Sequence, residues 1–253
     1  MMENYGTLDL IYTDYADVDH VWNPKRAVVF VQGESGFLPW LVGRGVIGDA
    51  PIQVEIMSRF MDVENFNTVP ETIRPGWLGY QPQSETAVIN LTTWFPTSPM
   101  PDSNHGMWMR TYPAMRDLVL WLRECGCEDL LFISALNSQR VIPEDEDGLH
   151  VFEIGDEDVV PAPFMMPTWF IPYLFDRMGG KARIMAVEQD EGLFIDDEAL
   201  SRLGVALSQS GYRMDVNAMR RSLMKVMQNK DEIEGIEALF NRHHDGHEGG
   251  EWE

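Results

Sequence analysis

Hydrophobic positions in this chain fall into short unbroken runs and longer helical stripes. "RAVVFVQ" (26–32), set off by Pro24 and Gly33, is a β-branched run that predicts a buried strand. A Gly-rich turn, "GESGF", then leads into an apolar stretch that predicts a helix ending before Pro51. "IQVEIMSRFM" (52–61) alternates as a half-exposed strand would. Residues 65–84, rich in Pro, Gly and Asn, predict loop with one short strand. "TAVINLTTWF" (86–95) predicts a second buried strand, and "PTSPMPDSNHG" (96–106), with three prolines, a loop. Met115, Leu118, Val119 and Leu122 then form a helical stripe ending at Gly126, and "EDLLFISAL" (128–136) predicts a third strand. Strand, helix and strand with short links predict a parallel βαβ unit.

The second half continues in the same manner. "LHVFEI" (149–154) predicts a short strand between two acid runs, "MMPTWFIPYLFDRMGG" a segment ending in a helix, and "ARIMAVEQ" (182–189) a further strand. "FIDDEALSRLGVALSQSGY" opens on an Asp N-cap pattern and predicts a helix reaching Gly211. Residues 216–240 place apolar side chains at Met219, Leu223, Val226, Met227, Ile233, Ile236 and Phe240, a helix of roughly 37 Å at 1.5 Å per residue. The expectation is an α/β fold: one domain over residues 1–240, with a central, largely parallel sheet flanked by helices. A flexible tail rich in His, Gly and Glu follows over 241–253.

Composition supports a large core, with 44% hydrophobic and 11% aromatic residues in 253. Charge narrows the partners. Against 41 acidic residues stand 19 basic ones, for a formal net charge of −22. Nucleic acid and anionic membranes need clustered Lys and Arg to displace counterions, so neither is expected as a partner. No apolar run reaches the length of a membrane span, and "MMENYGTLDLIYTDY" has no basic segment followed by an apolar one. Two cysteines, Cys125 and Cys127, exclude a disulfide scaffold and suit a reducing cytoplasm.

Candidate chemistry is sparse. "GRGVIG" (43–48) matches the dinucleotide fingerprint letter for letter, but no helix is predicted to start where a pyrophosphate would sit. A helix end and turn is the simpler reading. "QGESGF" (32–37) is one glycine short of a nucleophile elbow, since Phe37 occupies the fifth position. The candidate bases for a triad are His20, His105 and His150. The turn is better read as capped by Ser35, and Gly33, Ser35 and Gly36 remain a candidate ligand crevice at the carboxyl end of the first buried strand. The two cysteines lack zinc spacing and read as packed thiols. The acid runs lack the spacing of a calcium loop and read as a solvated face. His243, His244, Asp245 and His247 offer ligands in the tail, but binding there must overcome ordering entropy. No catalytic set, metal or cofactor is expected.

Four stretches in order carry a resemblance to a known family. They are "RAVVFVQGESGFLPWLVGRGVIG", "MRDLVLWLRECGCEDLLFISALNSQR", "ARIMAVEQDEGLFIDDEALSRLGVAL" and "GYRMDVNAMRRSLMKVM". Together they resemble the proteasome assembly chaperone family, of the type of the second subunit of the eukaryotic heterodimer, with its archaeal and bacterial relatives. The family's Gly-rich turn before the helix that precedes the late strand is replaced here by "MMPTWFIPYLF". The resemblance implies a phosphorylase/hydrolase-like α/β fold, self-association into a homo-oligomer, and non-enzymatic assembly of proteasome α subunits into rings. Some members dock through a C-terminal hydrophobic–Tyr–any-residue motif. The matching positions are Glu251, Trp252 and Glu253, with Trp252 as the penultimate aromatic. The resemblance thus assigns partner binding to Trp252 and Glu253. An alternative is a nucleotide- or nucleoside-binding enzyme using the Gly-rich crevice at 33–48.

Overall fold

A computed structural model describes residues 1–31, 38–58, 76–81, 84–91, 104–137, 148–154, 170–190 and 195–228. Its strands are β1 (Met2–Tyr5), β2 (Leu8–Tyr12), β3 (Arg26–Val31), β4 (Val54–Ser58), β5 (Gly76–Gln81), β6 (Thr86–Leu91), β7 (Asp129–Asn137), β8 (Leu149–Glu153) and β9 (Lys181–Gln189). Its helices are α1 (Val18–Val21), α2 (Leu38–Ile47), α3 (Asn104–Glu124), α4 (Phe170–Arg177), α5 (Asp197–Gln209) and α6 (Val216–Gln228). The strands form one mixed sheet in the order β1-β2-β4-β5-β6-β3-β7-β9-β8.

The parallel character expected of the sheet is confined to its centre. β6, β3, β7 and β9 run parallel, whereas β1, β2, β4 and β5 on one side and β8 on the other join antiparallel. The predicted βαβ unit exists with one modification. β6 and β7 are parallel and joined through α3, but β3 lies between them and pairs with both.

Two cores form because the central strands are covered on both faces. On one face Val29, Ile89, Phe132 and Ile184 pack against Leu118, Trp121 and Leu122 of α3 and Phe175 of α4. On the other, Phe30, Val88, Ile133 and Val187 pack against Trp40 and Val42 of α2, Leu203 and Leu207 of α5 and Met219 of α6. This double coverage is why these strands read as continuous apolar runs in the sequence.

Three helix ends are closed by glycines, two of them, Gly126 and Gly211, at the predicted positions. At the end of α3, Gly126 adopts φ +88°, its N–H donates to Arg123 O, and Cys127 N–H reaches back to Leu122 O. This pairing satisfies carbonyls that the helix terminus would leave bare. Gly179 after α4 and Gly211 after α5 close their helices with the same pair of bonds.

Some expectations change. β4 lies between β2 and β5, and Val54, Ile56 and Met57 are all buried, so it is not half-exposed over its described residues. Residues 104–106, expected as loop, are the first turn of α3, a helix that continues through Pro113. The N-terminal hairpin β1–β2 was not anticipated. Leu8, Leu10 and Tyr12 point into the core and the turn passes through Gly6 at φ +58°.

Candidate functional site

The candidate crevice belongs to the β3–α2 unit. α2 is fastened across the carboxyl ends of β3 and β6 by one buried side chain. Asn90 on β6, fully buried and level with Phe30 of β3, donates from Nδ2 to Trp40 O at 2.8 Å. Gly43 makes room for that amide. A Cβ there would stand 2.7 Å from Asn90 Cγ and 2.8 Å from Nδ2. Arg44, one residue on, lies over the Trp77 ring at 5.1 Å and donates from Nε to Ser222 Oγ of α6 at 3.3 Å. The helix is therefore held from both sides.

This geometry disposes of the dinucleotide match. Gly43 and Gly45 sit inside α2, packed on Asn90 and Met219, and Gly48 at φ +63° closes the helix with its N–H on Arg44 O. The motif ends a helix where a phosphate loop must begin one. Gly33, Ser35 and Gly36, between Val31 and Leu38 in the sequence, lie outside the described residues.

At the carboxyl end of β9 an acid is committed to the fold. Asp196 caps α5, its Oδ1 accepting from Glu198 N at 2.9 Å and Ala199 N at 3.0 Å, while Oδ2 accepts from Asp190 N at 3.1 Å. Burial pushes the carboxyl up, but these three N–H donors outweigh it and hold it below the usual carboxylate range. Asp196 ties the strand end to the helix and is poorly placed to act as a base.

The remaining titratable groups are also used structurally. Cys125 and Cys127 are buried and free, and burial pushes both thiols up to about 12. A thiolate nucleophile needs the opposite shift. His150 on β8 is buried, stacks on Phe152 and meets Glu188 Oε1 through Nε2 at 2.9 Å. β8 is three strands from β3 in the sheet, about 14 Å at the usual spacing, so His150 and the end of β3 make no triad. The side chains of His20 and His105 are outside the described set. Among the described residues, no group of three or more His, Cys, Asp or Glu gathers to hold a metal ion, and no helix is long and apolar enough to cross a membrane.

A depression of about 420 Å³ lies at the opposite, amino ends of the central strands. Arg26, Asp129 and Lys181 form one row across β3, β7 and β9, and Arg183 pairs in register with Glu153. Tyr212 lines the same depression, with burial raising its hydroxyl pKa. With Asp176, the lining balances three cations against three carboxylates, which gives no net attraction for an anion or a metal.

Trp252 and Glu253, with Glu251 and the tail histidines, fall outside the described residues. The sequence reading passed over the outward surface of α6, although "MRRSLMKVMQ" carries its signal, bases and methionines without an acid.

Comparison with protein-family models finds no match, and comparison with curated proteins finds none. Solved structures do match. Pyrococcus furiosus PbaB, an archaeal proteasome activator, superposes with a TM-score of 0.58 at 12% identity, over 90% of this chain and 99% of that one. Pyrococcus furiosus PbaA, an archaeal homolog of proteasome-assembly chaperone, gives 0.56 at 10% identity, over 92% and 99%. A protein of unknown function from Thermoplasma acidophilum gives 0.55 at 9% identity, over 90% and 93%. At such identities the likeness is one of fold, and it agrees with the resemblance drawn from the four sequence stretches. This chain has the fold of the archaeal proteasome-assembly-chaperone homolog PbaA and of the proteasome activator PbaB.

Proposed function

We propose that this protein is a chaperone-like binding protein for proteasome α-type subunits or rings, acting by surface docking without chemical turnover and as a homo-oligomer. The observation that supports it most is the superposition on PbaB over nine-tenths of this chain and nearly all of that one. Within the fold, Asn90, Asp196, Cys125, Cys127 and His150 are taken up by packing and hydrogen bonds. A docking protein needs complementary surfaces and no activated nucleophile.

The tail supplies the contact in this reading. Trp252 offers a large aromatic anchor, of the kind that dominates interface energies when it fills a pocket. Glu251, where an apolar residue would stand in the motif, reduces that contribution.

Affinity capture on the tagged full-length protein from native lysate tests the reading. Proteasome α subunits should be enriched, and Trp252→Ala should reduce their recovery several-fold at equal bait. No enrichment at any salt concentration would reject the reading. Equal recovery by both proteins would leave α-subunit binding in place and remove the tail from it.

A further inference from the structure

Helix α6 has two unlike sides. Inward, Ala218, Met219 and Ser222 are buried against α2, and Arg221 pairs with Asp49. Outward, Val216, Met224 and Met227 are 52%, 62% and 56% exposed, with half-buried Leu223 at the margin. At 100° per residue these four and Arg220 fall within a single stripe about 100° wide. Exposed methionines are adaptable apolar contacts and favour aromatic partners through sulfur.

The charge of this helix opposes that of the chain. Between Val216 and Gln228 stand Arg220, Arg221 and Lys225 and no acid, in a protein of formal net charge −22. Arg220 and Lys225 have no acidic partner among the described residues. The stripe therefore suits an acidic segment bearing an aromatic side chain.

Such a segment lies in the same sequence. Residues 245–253, "DGHEGGEWE", carry Asp245, Glu248, Glu251 and Glu253, no Lys or Arg, and Trp252. Reach is sufficient even if the helix runs on to Phe240, as the sequence pattern predicts. That extension would carry the chain roughly 18 Å beyond Gln228, at 1.5 Å per residue. The residues from 241 to 252 span up to about 40 Å when extended.

We propose that residues 245–253 dock on the outward stripe of α6 in the same molecule, with the Trp252 indole against Met224 and Met227 and a flanking glutamate facing Arg220. This rests on the surface of α6 and the chemistry of the tail, independently of the proteasome reading. If both hold, a ring partner competes with α6 for Trp252, and the free fraction of the tail sets the apparent affinity.

The test is methionine-methyl NMR on the full-length protein. The Met224 and Met227 methyl signals, assigned through Met→Leu variants, should be shifted upfield by the indole ring and lose that shift in Trp252→Ala. Met219, packed against Gly45, should not move. The shift should also be lost in Arg220→Glu and shrink near 1 M salt, where screening acts within about 3 Å. Identical Met224 and Met227 signals in wild type and Trp252→Ala would overturn the proposal. A shift that disappears on dilution would also overturn it, because the occupant would then be the tail of a second copy.

Discussion

Gly43→Ala is expected to destabilise the protein by about 2 kcal/mol or more, although alanine in a helix interior normally gains about 1 kcal/mol over glycine. The sign is decided by Asn90. The new methyl would lie 2.7 Å from Asn90 Cγ and 2.8 Å from Nδ2, and Asn90 is fully buried. Either the amide turns and abandons Trp40 O, or α2 lifts from the sheet and opens the packing of Trp40 and Val42 on Phe30 and Val88. Both routes forfeit buried contacts. Denaturant unfolding of Gly43→Ala, Asn90→Ala and the double variant checks this. The double variant should be more stable than the two separate losses imply, because removing the amide removes the clash. If Gly43→Ala raised the midpoint, α2 would not be seated as described.

Asp117→Ala is expected to cost roughly 1–3 kcal/mol, since it leaves the half-buried Thr7 N–H and hydroxyl without their buried acceptor and does not merely remove one contact. The carboxylate, with its side chain only 3% exposed, accepts from Thr7 N at 2.7 Å, Thr7 Oγ1 at 2.8 Å and the Arg116 guanidinium. It thereby pins the turn of the β1–β2 hairpin to α3. Gly6 sits so close that a Cβ there would be 2.6 Å from Asp117 Cγ. Burial pushes this carboxyl up, but the donors from Thr7 and Arg116 outweigh it and hold the pKa below its usual value. The folded-state pKa is depressed, so the contribution is fully present above the unfolded value near 3.9 and is lost as pH falls through the folded value. Wild type should therefore lose more stability than Asp117→Asn below about pH 4. Parallel acid titrations of the two proteins would contradict the account.

What could be read from the sequence follows from where burial is double-sided. β3, β6, β7 and β9 are covered on both faces, so "AVVFV", "AVINL", "LLFISAL" and "RIMAV" stand out as apolar runs. α5 was legible because Asp196 caps it and Gly211 follows it. The β1–β2 hairpin was not, because Leu8, Leu10 and Tyr12 are only three core residues. Asp117, which holds the hairpin, lies 110 residues from Thr7. The start of α3 was misplaced because the three prolines of 96–106 suggested loop, although Trp108 and Met115 keep a seven-residue helical spacing. On the site, the glycines of 43–48 were read as a helix end, as α2 and Gly48 show, but their packing on Asn90 and Met219 is beyond what sequence spacing can bring to Gly43 and Gly45. The face of α6 escaped notice because a net charge of −22 averages away one basic helix.

The central claim, docking to proteasome α subunits, is tested most directly by native mass spectrometry of the purified full-length protein mixed with purified α subunits. The account predicts a complex containing both chains, with masses that give their stoichiometry. Only separate species of this protein and of the α subunits, at every mixing ratio and salt concentration, would contradict it.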